Sequence, residues 1–274
     1  MKFDYELVGK IGSMALVDKV GNDMDYNTIA RVSRCLTPEM IWVTSGAVEI
    51  GRLDYIRRTG EPLSGDKSDN KTDYAAQGQA ILMQTYRQYI DSNYSVRQIL
   101  IEHQHFNDEL KREHLMNTLM RCKEQKAIAI VNYNDAVSSE ENMKWELEDL
   151  KSTTIEPVSG IDNDETASEI ACLVKARRLL ILTNVEGIYT NPKDSTTLIR
   201  EIAGKDINEL LDNISECQLN CNGSSREGAN GASAKLEYIK KPVTIGTEVI
   251  IANSKYSINE ILTGLSPSTI IRVR

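Results

Sequence analysis

The stretch AIAIVNYND, residues 127–135, joins an apolar run directly to a group of polar side chains. Residues 127–131 are small or β-branched and apolar, as in a strand buried on both faces, and Asn132, Tyr133, Asn134 and Asp135 follow without a loop. Ligands of open α/β sheets bind beyond the carboxyl ends of parallel strands. This stretch therefore predicts a buried parallel strand whose end takes part in function.

Three other short apolar runs end in the same way. They are residues 41–43 before Thr44 to Ala47, residues 179–182 before Thr183 and Asn184, and residues 248–252 before Asn253 and Ser254. Helical periodicity lies between the runs, at residues 25–36, 74–89 and 165–178. The alternation predicts an α/β fold, a three-layer sandwich with a largely parallel central sheet.

Two polar stretches interrupt this alternation. Residues 59–73 are rich in Gly, Ser, Asp and Lys and are expected to form a surface loop. Residues 138–159 are expected to form a second loop, which is acidic enough to include a short acidic helix. We expect one domain over residues 1–274, with lobes of residues 1–160 and 161–274.

The composition is that of an ordinary globular protein, with 41% hydrophobic and 26% charged residues among 274. The 32 basic and 40 acidic residues give a net charge of −8, which opposes binding to nucleic acid or anionic lipid. An anionic ligand would need locally placed lysines or helix N-termini. The five scattered cysteines, and the lack of a signal peptide or of an apolar run of membrane length, predict a cytoplasmic protein without a membrane partner. The three histidines are expected at the surface.

Two clusters in the first fifty residues have the composition of anion-binding turns. Lys10 lies between Gly9 and the pair Gly12 and Ser13, so a charge and close backbone approach to a phosphate are available together. The spacing is not that of a Walker A loop, and a strand followed by a turn with a surface lysine explains it equally. Residues 45–47, Ser-Gly-Ala, offer backbone N–H groups at a helix start or form a plain tight turn.

Two further clusters lie in the second half of the chain. The run Gly160 to Asp164 contains Asp162 and Asn163, and its carboxylates suit a metal, an amine or lysines, although helix capping alone explains Asp164. The stretch from Gly223 to Lys235 has the glycine content of a cover that brings a lysine to phosphates, or of a surface loop.

Taken together, the order and spacing of these clusters resemble the amino acid kinase family, and within it the glutamate 5-kinases. The matching segments are Lys10 to Ser13, Val43 to Ala47 with Gly51 and Arg52, Ala75 to Gln79, Val131 to Val137 without Tyr133, Asp162 to Asp164, Leu182 to Asn184, Gly187 to Thr190, and Gly228, Gly231, Lys235 and Leu236. They cover the chain from about residue 7 to 255. The resemblance implies the amino acid kinase fold.

The resemblance also implies an activity, which is ATP-dependent phosphorylation of the side-chain carboxylate of glutamate to glutamyl 5-phosphate, in proline synthesis. ATP and Mg²⁺ are the implied cofactors, with no protein side chain as a metal ligand. The implied catalytic residues are Lys10, Lys235 and Asp164, and the implied acceptor-binding residues are Ser45, Gly46, Ala47, Asp135 and Asn163. Nucleotide binding is implied for Lys10, Gly12, Ser13, Thr183, Asn184, Tyr189, Gly228, Gly231 and Lys235.

The chain departs from the family pattern at three places. Tyr133 stands where the family usually has Glu, Asn184 stands where it usually has Asp, and residues 138–159 lengthen the segment before Asp162. Kinases of carbamate, aspartate or N-acetylglutamate, or a non-catalytic sensor on the same scaffold, are the alternatives. The family pattern also implies a homo-oligomer, a dimer or tetramer, and the end of the chain at Arg274 predicts no C-terminal PUA domain.

Overall fold

The computed structural model describes residues 2–18, 20–138, 140–153, 157–160, 162–191, 193–220 and 231–274. The chain divides into two compact units. Unit 1 comprises Met1–Lys10, Glu39–Ile41 and Asp164–Arg274, and unit 2 comprises Ile11–Pro38 and Trp42–Asn163. The first strand thus belongs with the C-terminal part of the chain. The expected single domain, with lobes divided at residue 160, stays a prediction.

Twelve strands and eleven α-helices lie in the described residues. The strands are β1 Tyr5–Ile11, β2 Val17–Asp18, β3 Asp23–Met24, β4 Met40–Val43, β5 Ser95–Ile101, β6 Ala127–Tyr133, β7 Ala176–Thr183, β8 Ile188–Tyr189, β9 Leu198–Ile199, β10 Glu201–Gly204, β11 Glu248–Asn253 and β12 Ser268–Val273. The helices are α1 Tyr26–Ser33, α2 Ala47–Thr59, α3 Lys67–Tyr89, α4 Gln104–Asn107, α5 Glu109–Glu124, α6 Glu140–Thr153, α7 Asn163–Leu173, α8 Ile207–Asn220, α9 Ala232–Tyr238, α10 Lys240–Thr244 and α11 Ile258–Leu262.

Five strands of unit 1 follow the order β10-β12-β11-β7-β1, and β8 and β9 form a separate antiparallel pair. Strand β11 runs parallel to β7, with Val249 opposite Leu179, and antiparallel to β12, which runs parallel to β10. The consecutive residues Leu179 and Leu180, and likewise Val249 and Ile250, are at most 3% exposed, although successive side chains of a strand point to opposite faces. Both faces of these strands are therefore covered, as the apolar runs predicted.

In unit 2, β6 lies between β5 and the second half of β4, which begins at Trp42, and β5 pairs with β6 in parallel. Strands β2 and β3 form a separate antiparallel pair. All seven residues of β6 are buried. Helices α2 and α3 cross with their backbones almost in contact. A Cβ atom on Gly51 would lie 1.9 Å from the Tyr74 carbonyl oxygen, and one on Gly78 would lie 1.8 Å from the Ala47 carbonyl oxygen. The glycines are thus needed where the two backbones touch.

The structure confirms some of the predicted helices and loops and contradicts others. The largely parallel sheet between helices is confirmed. An acidic helix does occur within residues 138–159, but the loop predicted there is wrong for Glu140–Thr153, which form the 14-residue helix α6. The loop predicted at residues 59–73 is wrong from Lys67 onward, because Asp66 caps α3 by accepting a hydrogen bond from the Ser68 N–H. The helix predicted to residue 178 ends at Leu173, and Lys175, with φ of 46°, turns the chain into β7. Among the described residues, no helix has the length and apolarity needed to cross a membrane.

Candidate active site

Two lysines meet one buried carboxylate in unit 1. Lys10 is the penultimate residue of β1, Asp164 lies in the first turn of α7, and Lys235 lies in α9. Lys10 Nζ is 2.7 Å from Asp164 Oδ1 and Lys235 Nζ is 2.7 Å from Asp164 Oδ2. The side chain of Asp164 is only 2% exposed and that of Lys10 only 8%. We call these three residues the lysine cluster. Its two lysines are 225 positions apart in the sequence.

The charges in the lysine cluster do not balance. Burial raises the pKa of Asp164, but the ammonium groups of Lys10 and Lys235 and their hydrogen bonds outweigh it and hold the pKa below the usual value. The carboxylate is therefore ionised, and two cations share one anion. Such an excess positive charge at a buried position is what an anionic phosphoryl group would neutralise.

The residues expected to bind nucleotide lie at several places. Gly12 precedes the short 3₁₀ turn Ser13–Ala15, and Gly231 precedes α9. Thr183 ends β7, and its hydroxyl accepts a hydrogen bond from the Val185 N–H at 3.0 Å. Asn184 is exposed at the same strand end, and Tyr189 lies in β8. Gly228, the remaining residue of this set, lies outside the described residues.

The residues expected to bind the acceptor lie in unit 2. Gly46 has φ of 97°, a left-handed conformation that favours glycine. Ser45 and Gly46 therefore lie in the turn after β4, and Ala47 is the first residue of α2. Asn163 Nδ2 donates to Ser45 Oγ at 2.8 Å and approaches Asn132 Oδ1 at 3.3 Å. The structure thus brings Ser45 and Asn163 together, although 118 positions separate them.

Asn163 is part of a chain of polar side chains in which the sequence analysis assigned a binding role only to Ser45 and Asn163. Asn132 is 1% exposed, and its Nδ2 donates to Gln79 Oε1 at 2.8 Å. We call Ser45, Asn163, Asn132 and Gln79 the amide network. A sequence signal for Gln79 existed, because it lies four residues after Ala75 and three before Leu82, both buried, and so is a polar residue on an apolar helical stripe.

A small pocket lies beside the amide network. It is lined by Ala47, Ala75, Gln79, Leu100, Tyr133, Asn134, Asp135 and Ala136. Lys71, from α3, lies 3.7 Å from Asp135. The pocket therefore brings one carboxylate and two side-chain amides together, with the ammonium group of Lys71 beside the carboxylate.

Tyr133, at the position of the first departure from the family pattern, lines this pocket. It is 4% exposed, and its hydroxyl lies 2.9 Å from Ser138 Oγ. Burial raises the pKa of Tyr133, so the side chain is neutral where a glutamate would carry a charge. The other substituted position, Asn184, is exposed.

Two residues of the stretch 138–159, Glu146 and Val158, contact α4 or the residue that precedes it. His103, which precedes α4, is 3% exposed, so the expectation that all histidines lie at the surface is wrong for it. Its Nε2 lies 2.7 Å from Glu146 Oε2 on α6. Asn107 donates to the Val158 carbonyl oxygen at 2.7 Å and accepts from the Val158 N–H at 2.9 Å. The Glu146 carboxylate gives the buried His103 ring a polar partner, which explains why a histidine occurs at a buried position.

Comparison with known sequences gives one domain family and several curated relatives. The model of the amino acid kinase family matches residues 7–253. A glutamate 5-kinase of Streptococcus suis is 29% identical over 257 residues, which cover 91% of this chain and 64% of that protein. Glutamate 5-kinase 1 of Bacillus licheniformis is 31% identical, with 89% and 62% covered, and a glutamate 5-kinase of Clostridium perfringens is 28% identical, with 93% and 90% covered. The chain thus spans less than two thirds of the length of the first two relatives.

Solved structures with the same fold are more distant in sequence. A UMP kinase from Bacillus anthracis superposes with a TM-score of 0.54 at 14% identity, over 99% of this chain and 97% of that one. An isopentenyl phosphate kinase from T. acidophilum gives 0.53 at 14% identity, over 98% and 100%. At such identity these likenesses carry the fold alone, and they confirm the predicted α/β class.

Proposed function

The chain belongs to the amino acid kinase family, and from that premise we propose that it transfers the γ-phosphoryl group of ATP to the side-chain carboxylate of L-glutamate, giving glutamyl 5-phosphate as the first step of proline synthesis. The choice of glutamate is supported by the curated relatives, which are glutamate 5-kinases.

The observation that carries this proposal is the lysine cluster. Lys10 and Lys235 each lie 2.7 Å from one Asp164 oxygen, so the carboxylate fixes two ammonium groups and leaves one positive charge in excess. Transfer of a phosphoryl group brings two anions together and spreads charge over the phosphoryl oxygens. Two fixed cations stabilise that arrangement without having to reorganise.

The acceptor needs little activation. A glutamate side chain has an ordinary pKa of about 4.3 and is already ionised at neutral pH, so no strong general base is required. One carboxylate oxygen attacks the γ-phosphorus, the bond from that phosphorus to the bridging oxygen breaks, and ADP leaves with the electron pair. No proton has to move, which agrees with a site made of lysines and amides rather than of a histidine base.

The two sets of residues divide the substrates between them. Ser45, Gly46, Ala47, Asp135 and Asn163 would hold the amino acid, with Asp135 facing its ammonium group. Gly12, Ser13, Thr183, Asn184, Tyr189, Gly228 and Gly231 would surround the nucleotide, and Lys10 and Lys235 its terminal phosphate. Asn163 and Asp164 are consecutive residues, so one peptide bond links the amide network to the lysine cluster.

Mg²⁺ would be carried by the nucleotide. Among the residues that the structure describes, no group of three or more His, Cys, Asp or Glu side chains could hold a metal ion. Mg²⁺ binds readily to phosphate oxygens while keeping several waters, so phosphate ligands suffice, and the ion would shield the phosphate charge.

A coupled assay of ADP release, run with glutamate, aspartate, N-acetylglutamate, carbamate and UMP as acceptors, tests the proposal. We expect turnover with glutamate, with Lys235→Ala as the matched inactive control. Release of ADP with another acceptor only would reassign the substrate. Binding of glutamate and ATP with no ADP release from any acceptor would support the second candidate, a sensor on the kinase scaffold, which Tyr133 and Asn184 favour because both replace a family carboxylate.

A further inference from the structure

The orientation of the buried amides can be determined from one backbone group. The Tyr133 N–H donates to Asn132 at 2.9 Å, and since a backbone N–H cannot accept, the Asn132 atom facing it is Oδ1. Its Nδ2 is then the donor to Gln79, at 2.8 Å, which makes the Gln79 atom facing it Oε1. The amide nitrogen Nε2 of Gln79 is thereby left over.

That nitrogen has no hydrogen-bond partner in the part of the chain that the structure describes. Gln79 is 8% exposed, so solvent does not readily replace the missing partner. A buried donor without an acceptor is destabilising, and proteins rarely leave one in that state without a reason. Gln79 also lines the small pocket of unit 2, where a bound molecule could supply the acceptor.

The chemistry of that acceptor follows from the other side of the pocket. Asp135 lines the same pocket, and its carboxylate attracts an ammonium group. In an α-amino acid the ammonium and the α-carboxylate are attached to one carbon atom, so the α-carboxylate lies beside any ammonium held by Asp135. Lys71, 3.7 Å from Asp135, adds a positive charge that favours an anion there.

We propose that Gln79 is a specificity-determining residue of the acceptor pocket, whose Nε2 donates a hydrogen bond to the α-carboxylate of the amino acid. This inference rests on the proposed function, since it names how that site recognises its acceptor. It assigns Gln79 the selection of molecules with a free α-carboxylate, while the side-chain carboxylate takes the phosphoryl group.

Gln79→Glu is a sharp test because it keeps an oxygen to accept from Asn132 Nδ2 and replaces only the free N–H donor. A hydrogen bond to a charged group contributes about 1.5 to 3 kcal/mol, so we expect the dissociation constant for glutamate to rise about 10- to 100-fold. Affinity for ATP should stay within about twofold of wild type, since none of the nucleotide residues changes. Calorimetric titration of the full chain measures both.

A change in the ligand identifies the contact. Isoglutamine, the α-amide of glutamate, offers an N–H where glutamate has an α-carboxylate oxygen, and it retains the side-chain carboxylate. Wild type should prefer glutamate, and Gln79→Glu should reverse that preference, because its carboxylate accepts from the α-amide. Gln79→Met, which has no donor and no charge, should lose affinity for glutamate without favouring isoglutamine.

The control is Gln84→Glu, which adds the same charge to an exposed position of α3 and should alter neither affinity. The inference is overturned if Gln79→Glu binds glutamate within twofold of wild type, or if it loses affinity for glutamate and for ATP by the same factor. In either case, turnover of glutamate by the wild type would leave the proposed function intact. Wild type that binds neither ligand overturns both.

Discussion

Unit 1 contains two groups of charged side chains that differ in burial. In the lysine cluster, two ammonium groups share one carboxylate that is 2% exposed. The second group, the ion-pair ladder, runs across neighbouring strands on the surface. It consists of Arg177, Glu6, Arg178, Glu248, Arg272, Glu201 and Arg274, with adjacent members in contact. Both groups have one cation more than anions, and the difference between them is burial, because the ladder side chains are 22 to 68% exposed, whereas those of Lys10 and Asp164 are 8% and 2% exposed.

This difference separates a structural arrangement from a functional one. Partly exposed, alternating charges stay in contact with water and contribute little each. A buried excess charge is unfavourable for the protein alone, and its presence is explained by a ligand of opposite charge. Perturbed pKa values do not make the distinction, because the pKa of Glu201 in the ladder is lowered as well, chiefly by the hydrogen bond from Arg274.

Asp164→Asn should have the largest effect on stability. The variant leaves Lys10, 7% exposed, without its countercharge, and breaking a buried ion pair in this way costs about 3 to 5 kcal/mol. Urea denaturation at pH 7 measures the loss in the free energy of unfolding. A loss below about 1 kcal/mol would contradict this expectation, because it would be no larger than the contribution of a solvated ion pair such as those of the ladder.

Lys10→Met should separate stability from activity. Asp164 keeps Lys235 as its countercharge, so the free energy of unfolding should change by no more than about 1 kcal/mol. Turnover should fall several hundredfold, which corresponds to about 3 to 4 kcal/mol in the activation barrier. ADP release and denaturation on one preparation provide both numbers. Near-normal turnover would remove the assignment of this lysine to phosphoryl transfer.

The pH dependence of stability should reveal Asp164. Because its folded-state pKa lies below the usual 3.8, its ionised form stabilises the folded chain above that pH, and the contribution is lost as pH falls through the folded-state value. The difference in unfolding free energy between wild type and Asp164→Asn should therefore be constant from pH 7 to about 5 and shrink toward pH 3. A difference independent of pH over this range would contradict an ionised Asp164.

Glu248→Gln should have the smallest effect. Glu248 accepts from Arg178 at 3.0 Å and from Arg272 at 3.2 Å, so it joins the two halves of the ladder. Glu248 is 24% exposed and remains in contact with solvent, and solvated pairs contribute about 0.2 to 1 kcal/mol, so we expect a loss in that range with unchanged turnover. In 1 M salt, where the Debye length is about 3 Å, the loss should disappear, whereas that of Asp164→Asn should persist. Denaturation at low and high salt compares the two.

The fold was predictable where burial leaves a strong sequence pattern. Strand β6 is buried at every residue, so its apolar run identifies a central strand without tertiary information. The start of α3 was missed because its first turns, from Lys67, are largely exposed and polar, and such a turn has the composition of a loop. The end of α7 was missed because a single left-handed residue, Lys175, separates it from β7 without glycine.

The sequence by itself determined the type of each candidate residue. Lysines beside glycines, small residues after strands and an Asp-Asn-Asp run predict phosphate and amino acid chemistry, because side-chain type limits what a site can bind. Only the tertiary structure decided which of them meet. Lys10 and Lys235 reach one carboxylate, and a backbone N–H fixes the orientation of Asn132 and Gln79, since hydrogen bonds and ion pairs depend on distances of a few ångströms that no local pattern encodes.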